Sequence, residues 1–447
     1  MESIQQIAEQ FISESIAIDI TLGLTKALET AKQVTSTFIC RLMEEKLTEM
    51  DTAIFEARSL RKNWVVEHKN VQRQLLTDQG LLQFSRRYYR NRKNGERRYL
   101  VDDLAGIDPF ERLEAGLAAS LCESSVDNSY QKSSNICCDS QVSRQTVMNK
   151  TRQVKESALE PVKPRLDVPV IHIQADEDHV AMQDGRRDTI VKLVVLHEPA
   201  QRVSKKRWRL PQRFLLTSYA ERVDDFWLRV ADAIYERYGD RDDLRVYIHG
   251  DGAAWIKSGL GWIKNSYFVL DKYHFLKYLN PVVGDNQAYR QYILDELDGG
   301  SRLKIKRLVE AIMGSELCYQ ETGEKFLRYM NGNWAGIQIW YDNNHQAGPS
   351  CAEGLVSHVL SSRLSSRPSG WLDEGLETIS RLRVHTLNGG EIRPENLRKE
   401  RKPGVIATNK LREQLNFEYS GSRTLHREHR SSPLTRLFRG ITNGRTV

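Results

Sequence analysis

Long hydrophobic runs are missing from this 447-residue chain. No stretch approaches the roughly 18 uninterrupted apolar residues that a membrane-spanning helix requires. The first 15 residues are acidic and polar, and they lack the basic start and apolar centre of a secretory signal. We therefore expect a cytoplasmic protein.

Cysteine is scarce and scattered. The chain has 6 cysteines, and no two of them form a CxxC pair. This spacing excludes a disulfide framework and a zinc ribbon, so we expect reduced thiols. The sequence also has no obvious serine, tyrosine or cysteine nucleophile motif, which favours chemistry without a covalent enzyme intermediate.

Positive charge is concentrated at one end. Residues 398–447 carry 12 lysines and arginines against 4 acidic residues, a surplus of eight, whereas the whole chain has a net charge of +7. A basic tail on a near-neutral body favours a polyanionic partner, with nucleic acid first among the candidates. A merely solvated tail is the alternative interpretation. We treat residues 391–447 as this basic C-terminal tail.

Proline is also absent before Pro109. Apolar residues such as Ile4, Ile7 and Phe11 recur at three- and four-residue spacings in the first part of the chain. This periodicity predicts an N-terminal helical region over residues 1–65, formed by one long helix or two moderate ones.

A basic β-hairpin is predicted next, within a DNA-binding region over residues 66–160. The turn signal Asn94-Gly95 separates two predicted strands, the first beginning at Leu75. Arginine interleaved with tyrosine can grip a phosphate backbone and stack on bases. The candidate DNA-contacting residues are Arg86, Arg87, Tyr88 and Arg90. An edge hairpin protected by its charge is the alternative.

Residues 108–156 are predicted to be helical in three pieces, with Asp108 capping the first and Pro109 at its first position. The second and third pieces resemble a helix-turn-helix, whose second helix enters the major groove. Its polar side chains suit base edges and phosphates. These candidates are Arg144, Gln145, Asn149, Lys150 and Arg152.

A proline-rich linker ends near residue 166 and leads into a third region, residues 161–390. The apolar patterns there predict three strands, a helix, a strand, a helix and a strand. A polar, helical insertion is predicted over about residues 280–346. The order of elements matches the RNase H-like fold, so we expect a multidomain α/β and α+β protein with an RNase H-like mixed-sheet catalytic core.

Acidic residues follow the predicted strands of this core. Asp251 lies between Gly250 and Gly252 directly after one strand, and Asp271 ends the next. Carboxylates at the ends of neighbouring strands can converge, and oxygen ligands suit a hard cation such as Mg²⁺. Helix capping is the alternative role for each aspartate.

The first predicted strand and a later helix supply further carboxylates. The fold brings the end of the first strand beside Asp251, and either Asp176 or Asp178 fits there because the two lie on the same side of a strand. Glu353 begins a helix with an apolar stripe, where a helix dipole alone would also favour an acid.

Four motifs, in order, carry a family resemblance: HIQADEDHVAMQ, YIHGDGAAWIK, YFVLDKYHFLKYL and AEGLVSHVLSSRLSSRPSGW. With them the chain resembles the ISLre-type bacterial insertion-sequence transposases, which are similar to the Mutator-like DDE transposases. The resemblance implies a catalytic triad of Asp176, Asp251 and Glu353. Asp271 and His274 match the C/D(2)H motif and are expected to be catalytic neighbours that position the site or the DNA; an N-cap and a core histidine are the alternative.

The resemblance implies two Mg²⁺ or Mn²⁺ ions, with Asp176 bridging them and Asp251 and Glu353 each binding one; Asp178 remains the other candidate ligand. Water would free a 3′-OH at the element end, and that hydroxyl would attack target DNA. The implied partners are double-stranded DNA, as terminal inverted repeats and target, and further copies of the chain. The implied location is the bacterial cytoplasm, on the nucleoid when bound. A structure-specific nuclease and a non-catalytic DNA-binding relative are the alternatives.

Overall fold

The computed structural model describes residues 3–186, 188–204, 208–315, 317–342, 347–366 and 370–397. The chain divides into two compact units. Unit 1 comprises Met1–Leu121, Ser134–Ser143 and Arg393–Val447, and unit 2 comprises Cys122–Ser133 and Arg144–Ile392. From residue 398 onward, the predicted basic tail lies outside the described residues.

The helices of the described residues are α1 (Ile4–Ile16), α2 (Leu24–Glu56), α3 (Leu100–Ala105), α4 (Ala115–Asp127), α5 (Tyr130–Cys138), α6 (Arg144–Arg152), α7 (Val223–Tyr238), α8 (Ala254–Lys257), α9 (Lys272–Val283), α10 (Gln287–Asp298), α11 (Arg302–Gly314), α12 (Gln320–Gly332), α13 (Trp334–Gln338), α14 (Ala352–Val356), α15 (Ser362–Leu364) and α16 (Asp373–Leu387). Short 3₁₀ turns span Ile20–Leu22, Ser258–Gly261 and Pro394–Leu397, and a π-helical turn spans Ser357–Ser361.

The strands are β1 (Trp64–Thr77), β2 (Gly80–Asn91), β3 (Arg97–Arg98), β4 (Val170–Val180), β5 (Thr189–His197), β6 (Gln201–Arg202), β7 (Trp208–Arg209), β8 (Phe214–Ser218), β9 (Arg245–Gly250) and β10 (Ser266–Leu270). Across the residues that the structure describes, every helix is too short or too polar to cross a membrane.

Unit 1 begins with two helices, α1 and α2, which is one of the two arrangements predicted for this region. The rings of Phe11 on α1 and Phe38 on α2 lie 4.5 Å apart, so the apolar spacing does produce a helix–helix contact. The helical prediction for residues 1–65 is confirmed as far as Glu56, where α2 ends. The chain then turns and enters β1 at Trp64.

The predicted turn at Asn94-Gly95 is confirmed, since it lies between β2 and the two-residue strand β3, which pair antiparallel. The predicted start of the first strand at Leu75 is wrong, because Leu75 belongs to β1 and β2 begins at Gly80. β1 and β2 form a further hairpin that was not predicted, with Thr77 opposite Gly80 and a turn at residues 78–79. The polar sequence of β1 hides its strand character, because a strand whose side chains are mostly exposed or half-buried lacks the apolar alternation by which strands are recognised.

Three helices, α4 to α6, occupy the stretch in which three helical pieces were predicted. The predicted start of the first at Asp108 and Pro109 is wrong, since α4 begins at Ala115. Phe110 has a φ of 64°, a left-handed conformation that no helix continues.

Unit 2 is built on a five-stranded mixed sheet with the order β10-β9-β4-β5-β8. β4, β5 and β8 form an antiparallel meander. β9 pairs parallel with β4, and β10 pairs parallel with β9. Helix α7 precedes β9 and α8 precedes β10, so the predicted order of three strands, helix, strand, helix and strand is confirmed.

The central strand β4 separates two different environments. Ile171, Ile173 and Ala175 point into an apolar core with Phe226 and Trp227 of α7. Burial of each large apolar side chain contributes about 1.5–3 kcal/mol to folding, so this layer is a main source of stability.

The opposite side of β4 carries a row of buried polar residues: His172, Gln174, Asp176 and Asp178. Farther along the same sheet face, Val359 and Leu360 join Leu193 of β5 in a second cluster of buried apolar residues. This cluster fixes the helical segment that follows residue 352 beside the polar row.

A helical insertion separates α9 from α14, as predicted. Helices α10 to α13 lie within the interval predicted at about residues 280–346. Ile293, Ile305, Val309 and Phe326 are fully buried and belong to the same apolar core as α7. The insertion is therefore part of unit 2 and not a separate body.

Candidate functional site

Asp176 lies on the central strand β4 and is 8% exposed. Its Oδ1 accepts a hydrogen bond from the amide of Glu177 at 2.9 Å. Burial, together with the negative charges of Asp251 and Glu353, raises the pKa of Asp176 to about 7. The side chain is therefore an acid held among other acids, in a place where a bound cation would relieve the repulsion.

Glu353 approaches from the start of α14, and its side chain is 60% exposed. Position in the first turn of a helix favours a negative charge. The helix packs on the sheet through buried Val356 and Val359, so the backbone of Glu353 is fixed although its carboxylate faces solvent.

His274 lies close to both Asp176 and Glu353. Its Nε2 lies 3.6 Å from Oε2 of Glu353, and its side chain is 14% exposed. One donor atom from each of Asp176, His274 and Glu353 lies within 4.8 Å of the other two. Two carboxylates and an imidazole at this separation can hold a divalent cation. We call these three residues the donor group.

Asp251 lies beside the donor group, at the end of β9. Gln174 lies opposite His249 in the parallel pair of β4 and β9, so Asp176 and Asp251, two residues farther along each strand direction, are neighbours across the sheet. The charge of Asp251 contributes to the raised pKa of Asp176.

Oδ1 of Asp251 accepts from the amide of Ala253 at 2.8 Å. Ala253 is the N-cap of α8 and no side chain among the described residues caps this helix, so the alternative role of Asp251 as a helix cap is wrong. Gly250 is required at the strand end, since an added Cβ would lie 2.9 Å from the carbonyl oxygen of Ala175.

Asp178 and Asp271 lie outside the donor group. Asp178 accepts hydrogen bonds from the hydroxyls of Ser361 and Ser365, at 2.9 and 2.7 Å. Asp271 is 5% exposed and caps α9 by accepting from the amide of Tyr273 at 2.8 Å. The structure thus groups Asp176 with Glu353 and gives Asp178 a contact with the π-helical turn and the residue after α15.

Sequence reasoning did not single out Gln174, yet this residue contacts the segment that carries Glu353. Its Oε1 accepts from the amide of Cys351 at 3.0 Å. His172, His197 and His249 surround it, and Nδ1 of His172 lies 3.2 Å from Nε2 of His249. The two-residue period that links Asp176 to Asp178 would also have identified Gln174, because all three lie on one side of β4.

The candidate DNA-contacting residues of unit 1 differ in accessibility. Arg86 is 6% exposed, pairs with Asp102 and lies over the ring of Tyr99. Burial lowers the pKa of Arg86 to about 10. Arg87 pairs with Asp51 at 2.6 Å.

Two further candidate residues on β2 are more exposed to solvent than Arg86. The ring of Tyr88 is half-buried and stacks near that of His68, with ring centroids 6.1 Å apart. The side chain of Arg90 is 51% exposed and lies 3.9 Å from Glu67. Of the four hairpin residues, Arg90 is the most accessible to a phosphate.

The candidate DNA-contacting residues on α6, in unit 2, are more exposed to solvent. Arg144, Gln145 and Asn149 are exposed, and Gln145 donates to Asn149 at 3.0 Å. Lys150 is half-buried, and Arg152 pairs with Glu374 at 2.9 Å. The exposed side chains of α6 are those suited to base edges.

Comparison with known proteins gives a family. The model described as "Uncharacterised protein family (UPF0236)" matches residues 19–401. Three UPF0236 proteins of Caldanaerobacter subterraneus subsp. tengcongensis are 36%, 35% and 35% identical to the chain over 375 residues. The matches cover 83% of this chain and 79%, 79% and 75% of the respective relatives. The names of these relatives join eleven, four and two serial designations under a single protein name.

Proposed function

This chain belongs to the uncharacterised protein family UPF0236, and we propose that it is a metal-dependent DNA transposase of a bacterial insertion sequence, of the ISLre type. The observation that carries the proposal is the donor group, because residues far apart in sequence meet there. Asp176, His274 and Glu353 have donor atoms within 4.8 Å of one another, with Asp251 beside them.

The sheet supports an RNase H-like core. Three antiparallel strands followed by two parallel ones, in the order β10-β9-β4-β5-β8, are the arrangement expected of that fold. Asp176 lies on the central strand and Asp251 at the end of the strand beside it. A fold hosts many activities, so the donor group, and not the fold, identifies the chemistry.

The residues fit a divalent cation. Asp176 has a raised pKa among acids, and Nε2 of His274 is buried, with no hydrogen-bond partner among the described residues. Asp176, Glu353 and His274 would hold a Mg²⁺ or Mn²⁺ ion, and Asp251 would contribute to a second. Such ions, when bound, neutralise phosphate charge and activate an oxygen nucleophile.

The side chains around the ions have distinct tasks in this proposal. Asp176, within β4, and Asp251, directly after β9, are fixed on the sheet and would hold the ions, and through them the reacting phosphate, in one place. His274 is largely buried and orients toward Glu353, whose exposed carboxylate faces the incoming DNA. The first reaction hydrolyses a phosphodiester and leaves a 3′-OH, and the second joins that 3′-OH to a target phosphate with release of the target's own 3′-oxygen.

The names of the relatives support the proposal that the coding sequence is a mobile element. A single protein name that joins eleven designations in one organism is what repeated copying of one coding sequence would produce. A nuclease with a fixed cellular role has no such need for many identical copies. The proposed partners are the ends of the element and a target duplex, contacted through the exposed side chains of α6 and Arg90.

An assay with labelled DNA from both sides of the coding sequence tests the proposal. With Mg²⁺ or Mn²⁺ we expect cleavage at the element ends and joined strand-transfer products. Asp176→Asn, Asp251→Asn and Glu353→Gln should abolish both, while Asp285→Asn, a change at an exposed loop carboxylate, should abolish neither. Cleavage without joining would identify a nuclease, and full activity of Asp251→Asn would refute metal-dependent catalysis at this site.

A further inference from the structure

We infer that the helical insertion positions the Asp251 loop, with Tyr329 on α12 as the positioning residue. The inference rests on the proposed function, because it concerns how a carboxylate of the same site is held. The Asp251 loop is residues 251–253, between β9 and α8.

A direct hydrogen bond joins the insertion to the loop. The hydroxyl of Tyr329 donates to the main-chain carbonyl oxygen of Asp251 at 2.6 Å. The ring of Tyr329 stacks on Tyr278 of α9, with centroids 4.0 Å apart and planes inclined by 15°. The stacked ring leaves the hydroxyl little freedom, so the bond to Asp251 has a fixed direction.

A close approach of the backbone reinforces this bond. Gly252 has a φ of +94°, and a Cβ added there would lie 2.3 Å from Oδ1 of Asn333. Asn333 is 5% exposed, and its Nδ2 donates to the carbonyl oxygen of Tyr329 at 2.9 Å. Only glycine allows the loop and the end of α12 to come this near.

A third contact lies just beyond the loop. Nζ of Lys257, on α8, donates to the carbonyl oxygen of Gly332 at 2.9 Å. The last turn of α12 therefore holds the segment after β9 at three points: Asp251, Gly252 and Lys257.

The loop needs this support because of its composition. Asp251 is flanked by Gly250 at the end of β9 and by Gly252 in the loop, and glycine has the largest backbone freedom of all residues. A ligand carboxylate that samples several positions binds a cation more weakly than one held in place. The insertion thus holds Asp251 in position, although it supplies no member of the donor group.

Mn²⁺ titration of the full-length chain, followed by calorimetry and by the electron paramagnetic resonance of free Mn²⁺, tests this inference. The variant is Tyr329→Phe, which removes one hydroxyl and keeps the stacked ring. The matched control is Tyr319→Phe, the same change at an 88% exposed tyrosine just before the other end of α12. All titrations are made well below the unfolding temperature of every variant.

We expect Tyr329→Phe to weaken Mn²⁺ binding about three- to tenfold, the range that loss of one hydrogen bond produces, and Tyr319→Phe to leave it unchanged. Equal Mn²⁺ affinities of the wild type and Tyr329→Phe would overturn the inference while leaving the metal site intact. A wild-type chain that binds no Mn²⁺ would instead overturn the proposed function. If Tyr329→Phe does not fold, Asn333→Ala removes the contact with Gly252, and the same loss of affinity is expected of it; an unchanged affinity there also overturns the inference.

Discussion

The amide of Cys351 donates a hydrogen bond to the side-chain oxygen of Gln174 across 3.0 Å. The other end of the Gln174 amide faces His197, with its Nε2 3.0 Å from Nε2 of the ring. Because Nδ1 of His197 lies 2.6 Å from the carbonyl oxygen of Glu198, it must donate there, and Nε2 of the neutral ring accepts from Gln174. The histidine thus fixes which end of the amide faces Cys351, two residues before Glu353.

Replacement of Gln174 is therefore expected to affect Glu353 at a distance. Gln174→Leu leaves the Cys351 amide and the His197 ring without their partner, which should cost about 1–3 kcal/mol of unfolding free energy. It should also weaken Mn²⁺ binding, because α14 loses its tie to β4. Chemical denaturation and Mn²⁺ titration measure the two effects. Gln174→Glu keeps an acceptor for Cys351 and should retain more Mn²⁺ affinity than Gln174→Leu; the reverse order would contradict this role.

Asparagine at the two aspartates of β4 should have different consequences for Mn²⁺ affinity. Asp176→Asn removes a charged member of the donor group and should reduce Mn²⁺ affinity at least about tenfold, since a charged ligand is lost. Asp178→Asn keeps an oxygen that can accept from Ser361 or Ser365, so its Mn²⁺ affinity should stay within about twofold of the wild type. Calorimetric titration of both variants is decisive. A larger loss at Asp178→Asn would identify Asp178 as the ligand.

Stability should fall in mild acid because of the buried histidines. Burial and the neighbouring His197 lower the pKa of His172 to about 3, from an ordinary value of 6.5. Between these two values the unfolded chain binds the proton and the folded chain does not, so the unfolding free energy decreases as the pH falls. From pH 7 to pH 5 we expect His172 alone to account for a loss of about 2 kcal/mol.

Denaturation curves at several pH values measure this loss. His172→Gln should flatten the dependence on pH, whatever its effect on stability at pH 7. The control is His179→Gln, at a histidine whose side chain is 65% exposed, and it should keep the wild-type slope. An unchanged slope in His172→Gln would show that other groups cause the acid sensitivity.

DNA binding should depend on the exposed face of α6. The double variant Arg144→Ala and Asn149→Ala should weaken binding to duplex DNA, and the slope of affinity against salt should drop by about one for each lost phosphate contact. Fluorescence anisotropy over a range of salt concentrations measures both quantities. Lys264→Ala removes the same charge from an exposed site paired with Asp240 and serves as the control. Equal losses in the two variants would point to a general charge effect.

The sheet of unit 2 could be predicted because its strands are buried. Apolar runs such as those of β4, β5 and β9 leave a clear signal. Asp251 marks the end of β9, whereas β4 continues past Asp176 and Asp178 to Val180, so the predicted end of that strand is wrong. The long strand β1 left no such signal, since most of its side chains are at least partly exposed, and its hairpin with β2 was therefore missed. A strand can be recognised in a sequence when one or both of its faces are buried, because burial requires apolar side chains.

The acidic residues of the site could be predicted from the sequence, whereas the contacts of the residues that hold them in place could not. Asp176, Asp251 and Glu353 were singled out by strand ends and by family resemblance, whereas His274 could equally have been a core histidine. Gln174 and Tyr329 act through contacts with residues 177 and 78 positions away, respectively. A single sequence contains no local pattern for a contact that only the folded chain creates.

The donor group draws on positions 176, 274 and 353, all of which follow the candidate DNA contacts at 86–152. On the ribosome, the segments proposed to hold DNA emerge first and the glutamate helix emerges last. Helix α6 nevertheless reaches its folded contacts only later, because Arg152 pairs with Glu374 of α16, which is added after residue 353. The α6 part of the surface proposed to hold DNA and the donor group are therefore completed together, within one unit of the chain.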